Sequence, residues 1–87
     1  MLSWVNVVRD DGSGAGNDVF VDGQFADPAG FVGEPFRTDT GQHTFQTLGP
    51  DNFPDWEKLQ TIDKPSGNGK QNPVPVVLQR VLPKTGP

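Results

Sequence analysis

Two turn dipeptides divide the most informative part of this sequence, residues 19–48. Asp22-Gly23 follows the apolar run Val19-Phe20-Val21, and Thr40-Gly41 precedes a second run that ends at Leu48. Asp-Gly and related pairs adopt the positive-φ turns that join antiparallel strands. The segment therefore predicts β hairpins, and it indicates a fold class while carrying little chemistry.

The composition predicts one small domain with many loops. The 87 residues leave room for a single core, and we assign that domain to residues 1–82, with a C-terminal tail at 83–87. Hydrophobic residues make up 32% of the chain, whereas ~45–50% is typical when glycine is also counted. Eleven glycines and nine prolines favour turns over long regular elements. We expect a thin core that is modestly stable or supported by partner contacts.

Charge and cysteine content argue against several functions. The net charge is −4 and the seven basic residues are scattered, whereas nucleic-acid binding needs clustered Lys and Arg. Without cysteine there is no disulfide, thiolate nucleophile or zinc-thiolate site. No apolar run reaches membrane-spanning length, and the N-terminus lacks the regions of a signal peptide. We therefore expect no nucleic-acid partner, no membrane insertion and no cofactor.

Short apolar runs predict an all-β fold. Strands are predicted at residues 3–9, 19–24, 34–38, 42–48 and 74–82, while residues 56–62 form either a strand or one helical turn. Residues 10–18 and 63–73 are predicted loops, and residues 25–33 an irregular excursion. Pro75 places the start of the last strand at a sheet edge or outside the ladder. The spacing of about ten residues predicts a small antiparallel β-sandwich or open barrel of immunoglobulin-like class, with long Gly/Pro-rich loops.

Three motifs follow one another in the middle third: Val19-Phe20-Val21-Asp22-Gly23, Gly33-Glu34-Pro35 and Gly41-Gln42-His43-Thr44-Phe45. Their order and spacing resemble the PEGA domain, a β-sandwich family with a V-x-V-D-G strand, a G-x-x-P step and a P-G-x-H-x-V return strand. Thr40 stands where proline is common, and residues 27–31 lengthen the first hairpin. The resemblance implies a non-catalytic accessory or surface module, often fused to other domains in bacterial envelope proteins, with no catalytic residues.

Asp39-Thr40-Gly41 matches the Asp-Thr-Gly signature of aspartic proteases, in which two aspartates of a dimer share a proton and activate water. Polar residues precede Asp39 where apolar ones are expected, and the later apolar-apolar-Gly element is missing. The motif is therefore better explained as a turn with Gly41 at positive φ. A dimeric retropepsin-like protease that uses Asp39 is the alternative from another functional class.

Two further motifs stay open. Residues 13–20 approximate one nonapeptide calcium repeat, and Asp10, Asp11, Asn17 and Asp18 could supply oxygen ligands. Such sites form between stacked repeats, so a flexible Asp-rich loop is favoured.

Leu82-Pro83-Lys84-Thr85-Gly86 matches the Leu-Pro-x-Thr-Gly sorting motif that sortases cleave. A sorting signal, a tag and chance all remain possible, because the chain ends at Pro87.

His43 is the only histidine, and no second ligand or nucleophile-type motif accompanies it. A structural role is therefore favoured over metal binding or catalysis. The serines at positions 3, 13 and 66 lie in no motif that would activate a nucleophile.

The sequence thus predicts a non-enzymatic structural or protein-binding module, one component of a larger assembly such as a cell-surface structure or a virion. Met1 and the missing leader fit a small intact gene product. Exposed aromatic residues are the natural contacts, and the candidates are Phe31, Phe53 and Trp56. A carbohydrate-binding module that stacks sugars on Trp4 or Trp56 is a further alternative. No catalytic, cofactor-binding or metal residue is assigned.

Overall fold

The computed structural model describes residues 2–15, 18–27, 34–63 and 69–81. This part of the chain forms strands, turns and loops, without a helix. The seven strands are β1 (Leu2–Arg9), β2 (Val19–Val21), β3 (Gln24–Asp27), β4 (Phe36–Asp39), β5 (Gly41–Leu48), β6 (Pro54–Ile62) and β7 (Val74–Arg80). The all-β prediction is confirmed.

The strands form one sheet in the order β3-β2-β5-β6-β7-β1-β4. Neighbouring strands are antiparallel, except for β1 and β7, which are parallel. Strand β4 lies at one edge, yet only Thr40 separates it from β5 near the other edge. The sheet must therefore curl to bring the end of β4 to the start of β5. The result is an open half-barrel whose opening lies between β3 and β4, in agreement with the predicted open barrel.

Alternating side chains build the core inside the curled sheet. Val5 and Val7 of β1 are buried, and the intervening Asn6 is only partly buried, as expected for a strand with one inward face. Phe45 in β5 is fully buried. The buried hydrophobic residues are Val5, Val7, Ala15, Val19, Phe36, Phe45, Trp56, Ile62, Val76 and Leu78. Because burying one Val, Leu, Ile or Phe side chain contributes roughly 1.5–3 kcal/mol, this cluster is a major source of stability for the sheet.

Two predicted elements need correction. The predicted strand at residues 19–24 is interrupted, because Asp22-Gly23 forms the tight turn between β2 and β3. Phe25 consequently lies in β3 and not in an irregular excursion; residues 28–33 lie outside the described residues. The ambiguous segment at 56–62 is a strand, because β6 pairs with β5 over nearly its whole length, from Gly41↔Ile62 to Leu48↔Pro54.

Pro75 lies in the interior strand β7 and pairs with Asn6 in the β1–β7 ladder, so its predicted position at a sheet edge or outside the ladder is wrong on that side. The β6–β7 ladder contains only the pairs Trp56↔Arg80 and Glu57↔Gln79. Beyond them, the side-chain amide of Gln60 donates to the Pro75 carbonyl at 3.1 Å. On the β6 side Pro75 has no N–H to donate to a ladder, and its carbonyl accepts from a side chain instead.

Candidate functional site

A cleft of about 210 Å³ marks the place where the sheet fails to close. It is lined by Val21, Asp22, Gln24, Phe25 and Ala26 of the β2–β3 hairpin, Thr38 and Asp39 of β4, and His43 of β5. The cleft thus lies between the two edge strands of the half-barrel, which run antiparallel across the opening. We call it the edge cleft.

His43 links the two sides of the edge cleft at one end. Its Nδ1 lies 2.5 Å from Oδ2 of Asp22, in the β2–β3 turn, and its Nε2 lies 2.7 Å from the carbonyl oxygen of Asp39, at the end of β4. The other carboxylate oxygen of Asp22 accepts the backbone N–H of Thr44 at 2.9 Å. We call this arrangement of Asp22, Asp39 and His43 the His43 clasp.

The clasp shifts the titration of both ionisable side chains that form its ion pair. The hydrogen bond from His43 and the backbone N–H of Thr44 lower the pKa of Asp22 below its ordinary value of 3.8. The hydrogen bond to Asp22, aided by the Asp39 carbonyl, raises the pKa of His43 above its ordinary value of 6.5. Both shifts have the same cause, since a hydrogen-bonded pair of opposite charges favours the charged form of each member.

The sequence explains why Asp22 stands where His43 can reach it. Asp22 and Gly23 have φ values of +53° and +81°, the combination that a tight hairpin turn between two strands requires. The backbone N–H of Asp22 donates to the Thr44 carbonyl at 2.8 Å, which ties the turn to β5. Asp tolerates the left-handed conformation better than most residues, so one side chain both forms the turn and accepts from His43.

The predicted contact aromatics occupy different environments. Phe53, in the loop before β6, is 70% exposed. Trp56 is a member of the core and only 9% exposed, and the guanidinium carbon of Arg9 lies 4.8 Å from the centroid of its ring. Phe31 lies outside the described residues. Phe25 was not among the predicted contacts, yet it is 60% exposed and meets the Phe20 ring edge to face at 6.2 Å.

Trp4, proposed for sugar stacking, is partly buried on the outer face of β1. Two cations lie near its ring: the Arg37 guanidinium carbon at 5.5 Å and Lys70 Nζ at 5.9 Å from the centroid. Cations at these distances interact favourably with an aromatic ring face. The indole is therefore already engaged by neighbouring side chains.

Asp39 has an exposed side chain, and its carbonyl serves the His43 clasp. Gly41 has φ of +119°, so the predicted positive φ of the turn is confirmed.

In the predicted calcium loop, Asp11 accepts from the backbone N–H and the hydroxyl of Ser13 at 2.9 and 2.6 Å. These bonds lower the pKa of Asp11 and are typical of an Asx turn.

Asn17 and residues 82–86 lie outside the described residues. Across the rest of the chain, as described, no group of three or more His, Cys, Asp or Glu side chains is placed to hold a metal ion. The same part of the chain contains no helix long and apolar enough to span a bilayer.

The sequence predicts a structural role for His43 but does not reveal its partner. For Asp22 it predicts only a turn. The missing information is the register of β2 against β5, which pairs Val21 with Phe45 and so places the turn beside His43. The sequence contains one indication of this pair, since Asp22 and His43 both lie next to predicted hairpin boundaries.

Comparison of the chain with protein-family models, with curated proteins and with solved structures finds no match.

Proposed function

We propose that this protein is a non-enzymatic protein-binding module that takes an extended segment of a partner at its open sheet edge, as one component of a larger assembly. The observation that carries the proposal is the unclosed sheet: within the described part of the chain, β3 and β4 each have a neighbouring strand on one side only. A free strand edge presents unpaired N–H and C=O groups, which are a template for strand addition.

The β3 edge is the better of the two for strand addition. Natural edge strands are usually protected by Lys, Pro or other charged side chains. In β3 the only charged residue is the last one, Asp27, and Gln24-Phe25-Ala26 is uncharged. The opposite edge strand, β4, carries Arg37 and Asp39 with exposed side chains. We therefore assign the partner segment to β3.

The hairpin geometry directs the backbone of Phe25 toward the opening. In a hairpin with a two-residue turn, the residues that flank the turn, here Val21 and Gln24, form the hydrogen-bonded pair. The next pair along, Phe20 and Phe25, is then a non-hydrogen-bonded pair, so the N–H and C=O of Phe25 point away from β2. The exposed Phe25 ring adds an apolar anchor next to these free groups, as binding sites for extended segments require.

The PEGA resemblance of residues 19–48 supports the same proposal, because that family consists of accessory modules without shared catalytic residues. Phe53 offers a second exposed ring at the loop between β5 and β6. We infer that it is a subsidiary contact, since it lies apart from the strand edges.

Selection from a displayed library of random linear heptapeptides tests the proposal. We expect peptides rich in strand-forming residues to be enriched, and their binding to be lost with Phe25→Pro, which removes the edge N–H together with the ring. Phe25→Thr, which keeps the N–H, should retain weaker binding. The control variant is Thr61→Val, on the paired strand β6, which should bind normally. Failure to enrich any peptide, or equal binding to all variants, would contradict the proposal.

A further inference from the structure

We propose that the Asp22 carboxylate and the Asp39 carbonyl form a receptor for a basic side chain of the bound segment, and that His43 occupies this receptor in the free protein. The inference rests on the proposed function and names the chemistry of the partner. The partner is then an extended segment that carries a Lys or Arg positioned for the clasp end of the edge cleft.

The hydrogen-bonding chemistry of the clasp identifies what it binds. The two groups that face the His43 nitrogens are a carboxylate oxygen at 2.5 Å and a carbonyl oxygen at 2.7 Å. An ionised carboxylate and a carbonyl only accept, whereas a neutral imidazole has one donor and one acceptor nitrogen. Both bonds together therefore require the doubly protonated, cationic ring. Two converging acceptors that hold a cation from the same chain are suited to a cation from another chain.

The charges around the clasp favour a basic ligand. Asp22 from the β2–β3 turn and Asp39 from β4 are the charged groups that act on His43. Strand β6 presents the uncharged Gln60 opposite His43 and pairs its cation, Lys58, with Phe45. On β4, the guanidinium of Arg37 is drawn to the Trp4 ring on the outer face.

The edge cleft itself is therefore acidic once His43 is neutral, and the whole chain carries a net charge of −4. Complementary charge selects partners and speeds their association. A Lys has three donors and an Arg has five, so either side chain can satisfy both acceptors of the clasp.

His43 competes with the partner for this receptor. When His43 loses its proton, one ring nitrogen presents a lone pair to an acceptor, so one of its two bonds is lost. The receptor is then open to a basic side chain of the partner. Binding of a basic segment should consequently strengthen as the pH rises through the pKa of His43, which the clasp holds above 6.5. Protonated His43 therefore acts as an internal ligand of the receptor.

The experiment uses the heptapeptide library, selected on the full chain at pH 8.5. We expect Lys or Arg to be enriched at one position among strand-forming residues. The best peptide should bind at least tenfold more weakly at pH 5.5, as measured by fluorescence anisotropy. Replacing its basic residue with norleucine should lower the affinity about tenfold at pH 8.5 and should reduce the pH dependence.

Variants of the chain separate the receptor from general charge. Asp22→Asn should lower the affinity for the basic peptide about tenfold, whereas Asp10→Asn, which changes the net charge equally, should leave it unchanged. His43→Gln should bind with little dependence on pH between 5.5 and 8.5. Should Asp22→Asn fail to fold, the pH series on the unaltered chain and the norleucine peptide still decide the question.

The outcomes distinguish the two proposals. Enriched peptides without a basic position, or binding that is indifferent to pH and to Asp22→Asn, overturn the receptor while the protein-binding function stands. If no peptide is enriched, both proposals fail. A basic position that depends on Asp22 and on pH supports both.

Discussion

His43 and Asp22 stand 21 positions apart in the sequence, and their side chains are joined by a hydrogen bond of 2.5 Å between Nδ1 and Oδ2. The bond links β5 to the turn of its neighbouring hairpin, next to the opening between β3 and β4. Because His43 also contacts the Asp39 carbonyl, one side chain holds both sides of the opening. The same two titrating groups therefore enter both the expected pH dependence of stability and the proposed receptor at the edge cleft.

Stability should be greatest in the mildly acidic range. The pKa of His43 is raised, so its contribution is complete below the ordinary value of 6.5 and is lost as the pH rises through the folded-state pKa. The pKa of Asp22 is lowered, so its contribution is complete above 3.8 and is lost as the pH falls through the folded-state pKa. Urea unfolding at a series of pH values should give a maximum between about pH 4 and 6.5.

The alkaline side of this profile isolates the clasp, because Asp11 also has a lowered pKa and contributes to the acidic side. His43→Gln should remove the decline above pH 6.5 and leave the acidic decline in place. An unchanged alkaline decline in this variant would show that the clasp does not stabilise the folded chain.

The protonation state of His43 is directly measurable. Imidazole ¹⁵N chemical shifts at pH 6 should show that both ring nitrogens are protonated, since each faces an acceptor. Asp22→Asn should move the pKa of His43 back toward 6.5, because it removes the main cause of the shift. The charge-matched variant Asp10→Asn should leave the titration of His43 unchanged, and a similar effect of both variants would contradict a specific pair.

Phe45 and Phe53 offer a matched comparison of a buried and an exposed ring. Phe45 is fully buried in β5, whereas Phe53 is 70% exposed. Phe45→Ala should lower the free energy of unfolding by about 3–5 kcal/mol, since it removes a core ring and leaves a cavity. Phe53→Ala should change it by no more than about 0.5 kcal/mol. Thermal or urea unfolding checks both values, and equal costs would contradict the assigned core.

Much of the fold could be predicted from local patterns, whereas the site could not. Alternating apolar residues located the strands, and Asp22-Gly23 signalled a hairpin turn. The extent of β6 was harder, since a short mixed run fits a strand or a helical turn until its pairing with β5 is known. The His43 clasp depends on the β2–β5 register and on the return of β4 to β5 after Thr40. Neither follows from local propensity, because both result from how the whole sheet curls.

Gly23 should be replaceable only at a cost in backbone strain. It has φ of +81°, and an added Cβ would meet no atom within 4 Å. Gly23→Ala should therefore destabilise the chain by roughly 1–2 kcal/mol through the left-handed conformation alone. Gly23→Asn should cost less, because Asn tolerates this conformation better. If both variants were equally and severely destabilised, a steric clash would be the cause and the turn geometry would need revision.

Thr47 should gain stability when its hydroxyl is removed. Its side chain is fully buried, and Oγ1 has no hydrogen-bond partner among the described residues. Its cross-strand neighbours are Val19 and Trp56, both apolar. A buried hydroxyl without a partner costs about 1–3 kcal/mol, and valine replaces it with a methyl group of similar shape. Thr47→Val should accordingly raise the free energy of unfolding by about 1 kcal/mol in urea unfolding, whereas Thr61→Val on the exposed face of β6 should change it by less than about 0.5 kcal/mol. A loss of stability confined to Thr47→Val would contradict this expectation. It would mean that Oγ1 forms a hydrogen bond in solution and that the hydroxyl stabilises the core.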